Sequence, residues 1–169
     1  MNRKIIALVM IGVLSLLVLG LGVWLWPRQA TKVVIPQSIS QQFNFQPLIT
    51  ATSTSAQASE VSKTLKYDSQ NKVLSFVTVV DNKHVAITEQ AYPEVLVFDS
   101  VVNSFNVYST LDLKVGTVYL GHPDNKPDGN QAAVMRTDTL LIFGRPAGQN
   151  LSDNQWRTVF DNLAPPAPH

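Results

Sequence analysis

The residues able to do chemistry in this chain are few. Three are histidines: His84, His122 and His169. None pairs with another at i, i+4, and there is no HExxH. His84 opens an apolar-alternating segment, His122 stands in a polar stretch, and His169 is the last residue of a Pro-rich tail. Glu89 and Glu94 flank Pro93, and Asp99-Ser100 interrupts an otherwise apolar run. Two nearby carboxylates can serve as acid and base, but this spacing alone does not make them face one another. Asp99-Ser100 is explained by a cap or turn.

The stretch Gly121 to Asn130 (GHPDNKPDGN) has the composition of a calcium loop. Such a loop needs oxygens at positions 1, 3 and 5, Gly at 6 and an acid at 12. Starting from Asp124, position 3 is Lys126, 5 is Asp128 and 6 is Gly129, but 12 is Met135. A solvated hairpin loop through Asn125 and Asn130 fits better. The chain has no cysteine. Disulfides, thiolate metal sites, Cys nucleophiles and a bacterial lipobox are therefore excluded. GxSxG, SxxK and P-loop signatures do not occur. Asn150-Leu151-Ser152 is a sequon, though Ser152 as a helix cap is the simpler role. No catalytic, cofactor-binding or metal residue is assigned, and no cofactor is expected.

The elements that must position any site divide into a span and a domain. Lys+Arg is 13 and Asp+Glu 12, a net charge of +1 over 169 residues. That balance argues against a nucleic-acid partner. Charged residues make up 15%, against about 25% in ordinary soluble domains. The deficit lies in Ile5 to Trp26, an uncharged apolar run. As a helix it covers about 33 Å, enough for a hydrocarbon core of about 30 Å. Trp24 and Trp26 suit an interface, and Pro27 ends the helix. The run exceeds a signal-peptide core, and the small-residue site ending at Ala30 has Arg28 at −3. The expectation is an uncleaved anchor in the lipid bilayer. Arg3 and Lys4 balance Arg28 and Lys32, so charge does not set orientation. The four-residue tail favours an N-terminus in the cytoplasm and the C-terminal part outside. No GxxxG marks the span for dimerisation, and oligomeric state is unreadable.

The remainder is expected as an α+β domain, an antiparallel sheet of five or six strands with a C-terminal helix on one face. The expected layout is a cytoplasmic tail (1–4), a transmembrane helix (5–26), a stalk (27–42), the domain (43–163) and a disordered tail (164–169). Thr50 to Ser59 reads as a loop and Lys63 to Tyr67 as a short strand. Val73 to Val80 and His84 to Gln90 read as a hairpin across Asp81-Asn82-Lys83. Tyr92 to Phe105 reads as a short helix or irregular packing segment. Val107 to Thr110, Lys114 to Leu120, Gln131 to Thr137 and Thr139 to Phe143 complete the strands, with Gly121 to Asn130 as a loop. Ser152 and Gln155 form a capping box, with Leu151 and Trp156 as a hydrophobic staple. Trp156, Val159, Phe160 and Leu163 form one helical stripe, and Pro165-Pro166 stop the helix.

Several segments carry a resemblance: IPQSI (Ile35 to Ile39), FNFQPLI (Phe43 to Ile49), VAITEQ (Val85 to Gln90), GTVYLG (Gly116 to Gly121) and TDTLLIF (Thr137 to Phe143). In this order, after one span, they resemble uncharacterised single-pass membrane proteins of small-genome bacteria. More distantly they resemble membrane-anchored domains of unknown function in actinobacteria and in anti-sigma-type regulators. Phe43 to Ile49 lacks the tyrosine pair of those proteins, and Leu141 stands where they often have Trp. The resemblance implies a location and an architecture, and supplies no catalytic residues. The anchor and a compact β-rich domain without a catalytic constellation make a non-enzymatic binding or interaction module of the bacterial envelope the expectation, with another envelope protein as candidate partner. A pilus or secretion-assembly subunit, or an envelope hydrolase, is the alternative.

Overall fold

A computed structural model of the chain describes residues 33–51, 55–92, 95–123 and 129–166. Ile5 to Trp26 lies outside them, and no helix among the described residues is long and apolar enough to cross a membrane. The domain is α+β and antiparallel. Its elements are α1 (Gln37–Ser40), β1 (Ile49–Thr50), α2 (Ser55–Thr64), β2 (Lys66–Asp68), β3 (Val73–Val80), β4 (Lys83–Ala91) and α3 (Val95–Ser104). They continue with β5 (Asn106–Leu113), β6 (Gly116–His122), β7 (Ala132–Arg136), β8 (Leu140–Pro146), α4 (Asp153–Asp161) and β9 (Leu163–Ala164). Seven strands form one sheet, ordered β2-β3-β4-β8-β7-β6-β5, and β1 pairs with β9 apart from it.

The hairpin between β3 and β4 follows from local chemistry. β3 alternates, burying Leu74, Phe76, Thr78 and Val80. Val80 pairs with Lys83, leaving Asp81-Asn82 as the loop. Both loop residues have positive φ, 48° and 61°, the conformation a right-twisting two-residue turn demands and Asp and Asn tolerate. The meander β2-β3-β4 is therefore as the sequence implies. At the sheet centre, β7 and β8 are buried on both faces. Ala133, Met135, Leu140 and Ile142 point into the larger core, and Val134 and Leu141 into a smaller one with Phe98 of α3.

The larger core is organised by α4. Ser152 Oγ accepts from the Gln155 N–H, and Gln155 Oε1 accepts from the Ser152 N–H, completing the capping box. Trp156 and Phe160 are fully buried and stacked, with centroids 5.8 Å apart. Asp153, Asn154, Arg157 and Asp161 face water. The two aromatics lie over Gly144 of β8, where a Cβ would stand 2.8 Å from Trp156 Cζ3 and 3.3 Å from Phe160 Cζ. Only a residue without a side chain leaves them room.

The same helix reaches distant strands. Gln155 Nε2 donates to Asp81 Oδ2 at the β3–β4 turn, 2.9 Å. At β5, Ser109 Oγ donates to Asp153 Oδ2, 2.8 Å, and Arg157 Nη1 to the Asp112 carbonyl, 3.4 Å. Four strands separate β3 from β5. In a flat sheet they would stand about 24 Å apart, whereas a nine-residue helix is about 13 Å long. The sheet therefore curls around α4. Buried Gln131 fixes the helix entry: its amide donates to the Leu151 carbonyl and accepts from the Leu151 N–H.

Several expectations are corrected. The sheet has seven strands where five or six were expected. Ser55–Thr64 is a helix that begins inside the expected Thr50–Ser59 loop and runs past it; Ala58, Val61 and Leu65, at helical spacing, pack on the core. It covers the edge of β3 beyond the reach of β2, since Thr64 Oγ1 accepts from the Val77 N–H at 2.9 Å. Such cover protects an edge from foreign pairing. The strand expected from Lys63 begins at Lys66, because the helix runs through Thr64. Lys114-Val115 is a turn, and β6 runs on to His122, so Gly121 and His122 belong to a strand. Leu163 is buried in β9, beyond the helix, because pairing with Thr50 ends α4 at Asp161. Of the expected stalk, Val33 and Ile35 are buried in the core. Of the expected tail, Ala164 pairs with Ile49.

Burial ranks the contributions of α4. Trp156→Ala empties the largest buried side chain and should cost about 3–5 kcal/mol. Ser152→Ala removes one cap and should cost about 0.5–2 kcal/mol. Denaturant titration of the full chain and both variants should give that order. A larger loss from Ser152→Ala would mean that the cap, and not the sheet, holds the helix.

Candidate functional site

Two hairpin ends and a two-strand clasp enclose a cleft. The β5–β6 hairpin closes on Lys114-Val115, with Leu113 paired to Gly116. Gly116 has φ +153°, and a Cβ there would overlap the Arg136 carbonyl oxygen. Glycine thus lets β7 approach the hairpin end. The β7–β8 connection turns on Thr137, whose Oγ1 accepts from the Leu140 N–H at 2.8 Å and the Thr139 N–H at 3.2 Å, the hydroxyl-built turn that Thr favours. β1 pairs with β9, and the flanking Leu48 and Pro165 reach the cleft.

The cleft measures about 660 Å³, within the usual range of ligand pockets, about 300–1,000 Å³. Leu48, Leu113, Val115 and Pro165 are its accessible apolar lining, with Leu140 buried behind them. Lys114, Arg136 and Asp138 are its charged residues. Arg136 ends β7 on the face covered by α3. Its guanidinium carbon lies 5.0 Å from the Tyr92 ring centroid and 5.5 Å from that of Phe98, inside the cation–π range of about 6 Å. Among the described residues it has no hydrogen-bond acceptor or carboxylate partner.

Behind Leu48 stands Glu89, fully buried on the core face of β4. Its Oε2 accepts from the Leu48 N–H at 3.0 Å, and its Oε1 has no partner among the described residues. The Cα positions opposite it carry Leu74 and Ile142. Burial in this apolar setting pushes the carboxyl up to about 8, and the Leu48 hydrogen bond opposes the rise. A buried carboxyl is favoured in its neutral form. Glu89 fastens the Phe43–Ala51 segment to the sheet, and through Leu48 it sets one wall of the cleft.

The residues singled out for chemistry are not brought together. His84 and Glu89 share β4 but point to opposite faces, about 17 Å apart along the strand. Asp99 and Ser100 are exposed on α3. His122 Nδ1 lies 2.9 Å from the Gly129 carbonyl oxygen. Asn130 is exposed. Glu94, His169 and the 124–128 core of the calcium-like loop lie outside the described residues. Among the described residues no group of three His, Asp or Glu is placed to hold a metal ion. Asn150 is exposed and Ser152 caps α4. Sequence reasoning missed Lys114, Arg136 and Asp138. The signal for Arg136 was a cation closing an apolar strand beside a turn; its ring partners come from residues 38 and 44 positions earlier. No family model, curated protein or solved structure matches the chain.

Glu89 has a pH consequence. Its folded value lies above its ordinary value of 4.5. The stability it contributes is full below that ordinary value and is lost as pH rises through about 8. The loss is on the order of a few kcal/mol. Denaturant midpoints of the full chain should fall from pH 5 to pH 9, and Glu89→Gln should flatten the profile. An unchanged slope in Glu89→Gln would remove Glu89 as its source.

Proposed function

We propose that the chain is a membrane-tethered domain of the bacterial envelope that binds another envelope component without catalysing a reaction. Ile5 to Trp26 holds it in the bilayer, the N-terminal tail faces the cytoplasm, and the folded part lies outside. The anchor rests on the uncharged length of the span. The resemblance to single-pass envelope proteins supports the same location.

The observation that carries the binding role is the cleft between the hairpin ends. It is lined by the half-buried Leu48, Leu113 and Val115 together with the exposed side chains of Lys114, Arg136 and Asp138. Apolar walls with a few placed polar groups are how proteins retain small molecules and chain ends. The hydrolase alternative needs an acid–base pair converging at a cleft. Glu89 sits behind the wall, hydrogen-bonded to backbone.

Two measurements test the reading. A reporter fused after His169 should work only if it is of the type active outside the cytoplasm; cytoplasmic activity would reverse the orientation. A photo-crosslinking residue at Val115, in the cleft, should give discrete adducts in intact cells. The same residue at Gln149, exposed at the opposite sheet end, should not. Equal adducts at both positions, or none at Val115, would contradict a binding cleft.

A further inference from the structure

Resting on that binding reading for its effect on the cleft, we propose that residues 43–51 form a strap that a proton on Glu89 holds shut. The strap is closed while the carboxyl is neutral and lifts when it ionises, with the seven-stranded sheet left intact. Lifting it opens the cleft, because Gln46 and Leu48 belong to the lining.

The first observation is a pair of orphaned oxygens at the strap. Four buried side-chain atoms lack a partner among the described residues, and two of them are Glu89 Oε1 and Thr50 Oγ1. A buried polar atom left unpaired costs free energy that contact with water recovers. The strap therefore covers a spot where wetting returns more than elsewhere in the core.

The second is how unequally the surroundings of Glu89 are held. Leu74 and Ile142, opposite it, belong to ladders of seven residue pairs each, β3–β4 and β4–β8. The strap has the two β1–β9 pairs, the Ala51 N–H donating to the Asn162 carbonyl at 2.6 Å, and the Leu48 N–H donating to Glu89 itself. Packing of Ile49 in the core and of Phe43 on the Tyr67 ring adds to these. Local opening draws on the least-bonded element. Water thus reaches the carboxyl by lifting the strap and not by parting a ladder.

The third is the lack of a charge to hold an ionised Glu89 in place. β3, residues 43–51 and β9 carry no charged residue. His84 and Arg145 are exposed on the opposite sheet face. Lys83 bonds the Asn150 carbonyl at the far end of β4. Lys66 and Asp68 of β2, and Asp153, Arg157 and Asp161 of α4, are exposed. Glu60 and Lys63 belong to α2, at the outer edge of β3. In the closed form burial pushes the carboxyl up to about 8, whereas a wetted carboxyl returns towards its ordinary 4.5. The lifted form therefore gains as pH rises above about 4.5 and levels off above about 8.

The test is amide hydrogen exchange of the full chain in detergent micelles at pH 5, 6.5 and 8, corrected for intrinsic exchange chemistry. Each pH is repeated with small additions of denaturant. The Leu48 and Ala51 amides should be less protected than those of Ile87 and Ile142, with little denaturant dependence. Their protection should fall at least tenfold from pH 5 to pH 8, and Glu89→Gln should abolish that fall. Thr50→Val removes the orphaned hydroxyl and should raise the protection of both amides several-fold. Leu48 and Ala51 as protected and as denaturant-dependent as Ile142 would mean that only global unfolding exposes them, and would overturn the proposal. So would the same fall in Glu89→Gln, or faster exchange in Thr50→Val. Should Glu89→Gln lose its native spectrum, the denaturant dependence in the wild type still decides. Failure here with Val115 adducts intact would refute the strap and leave the binding role standing. A lifting strap without Val115 adducts would support the strap and refute the cleft.

Discussion

The stacked pair Trp156 and Phe160, seated over Gly144, is the contact on which the rest of the molecule depends. α4 is short, and by itself a nine-residue helix is marginal in water. It persists because these two side chains are fully buried. They can be buried only because β8 offers a bare backbone at Gly144. Close approach there lets the flanking strands fold up on either side, so that Asp81 at the β3–β4 turn and Asp112 on the edge strand β5 both bond to the same helix. The polar fasteners on α4 are individually modest. Their effect is to fix the angle at which an apolar packing contact is made.

The cleft is a consequence of that curl. A flat sheet would hold the β5–β6 hairpin end away from the β1–β9 clasp. In the curled sheet Val115 and Pro165 line one hollow. The clasp is small, two residues on each strand, and is strengthened from behind by Glu89, whose carboxyl meets the Leu48 N–H. A neutral carboxyl suits this position, since an ionised one would face Leu74 and Ile142. On the other face of the sheet, Phe98 of α3 and Tyr92, just after β4, are the rings beside Arg136. Core packing on both faces therefore converges on one short stretch, Arg136 to Leu140.

Much of the architecture was legible because local chemistry and burial agree. Val73 to Val80 alternates, Asp81-Asn82 suits positive φ, and Ser152 with Gln155 forms a capping box; each feature occurs where its pattern indicates. The misreadings lie where short-range composition and tertiary packing disagree. Ser55–Thr64 is polar enough to read as a loop, and only its contact with the β3 edge makes it a helix worth forming. Val33 and Ile35 look like a polar stalk until the core that receives them is known. Leu163 continues the helical stripe, but its pairing with Thr50 takes it out of the helix. The candidate site was illegible for the same reason. The rings over Arg136 are distant in sequence, and the cleft wall draws on segments from Gln46 to Pro165. Glu89 looked like half of an acid–base pair. Its position on the inward face of β4 makes it a buried fastener instead.

The dependence of the fold on the Gly144 contact is open to a double-mutant cycle. Stability is measured for the full chain, Gly144→Ala, Trp156→Leu and the double variant. In the wild-type background Gly144→Ala forces a Cβ against the indole and should cost about 1–3 kcal/mol. With Trp156→Leu the nearer ring is gone and only Phe160 Cζ at 3.3 Å still crowds the new Cβ, so the same substitution should cost clearly less, leaving a positive coupling. Equal costs in the two backgrounds would mean that Gly144 and Trp156 do not meet, and the curled sheet described here would be wrong.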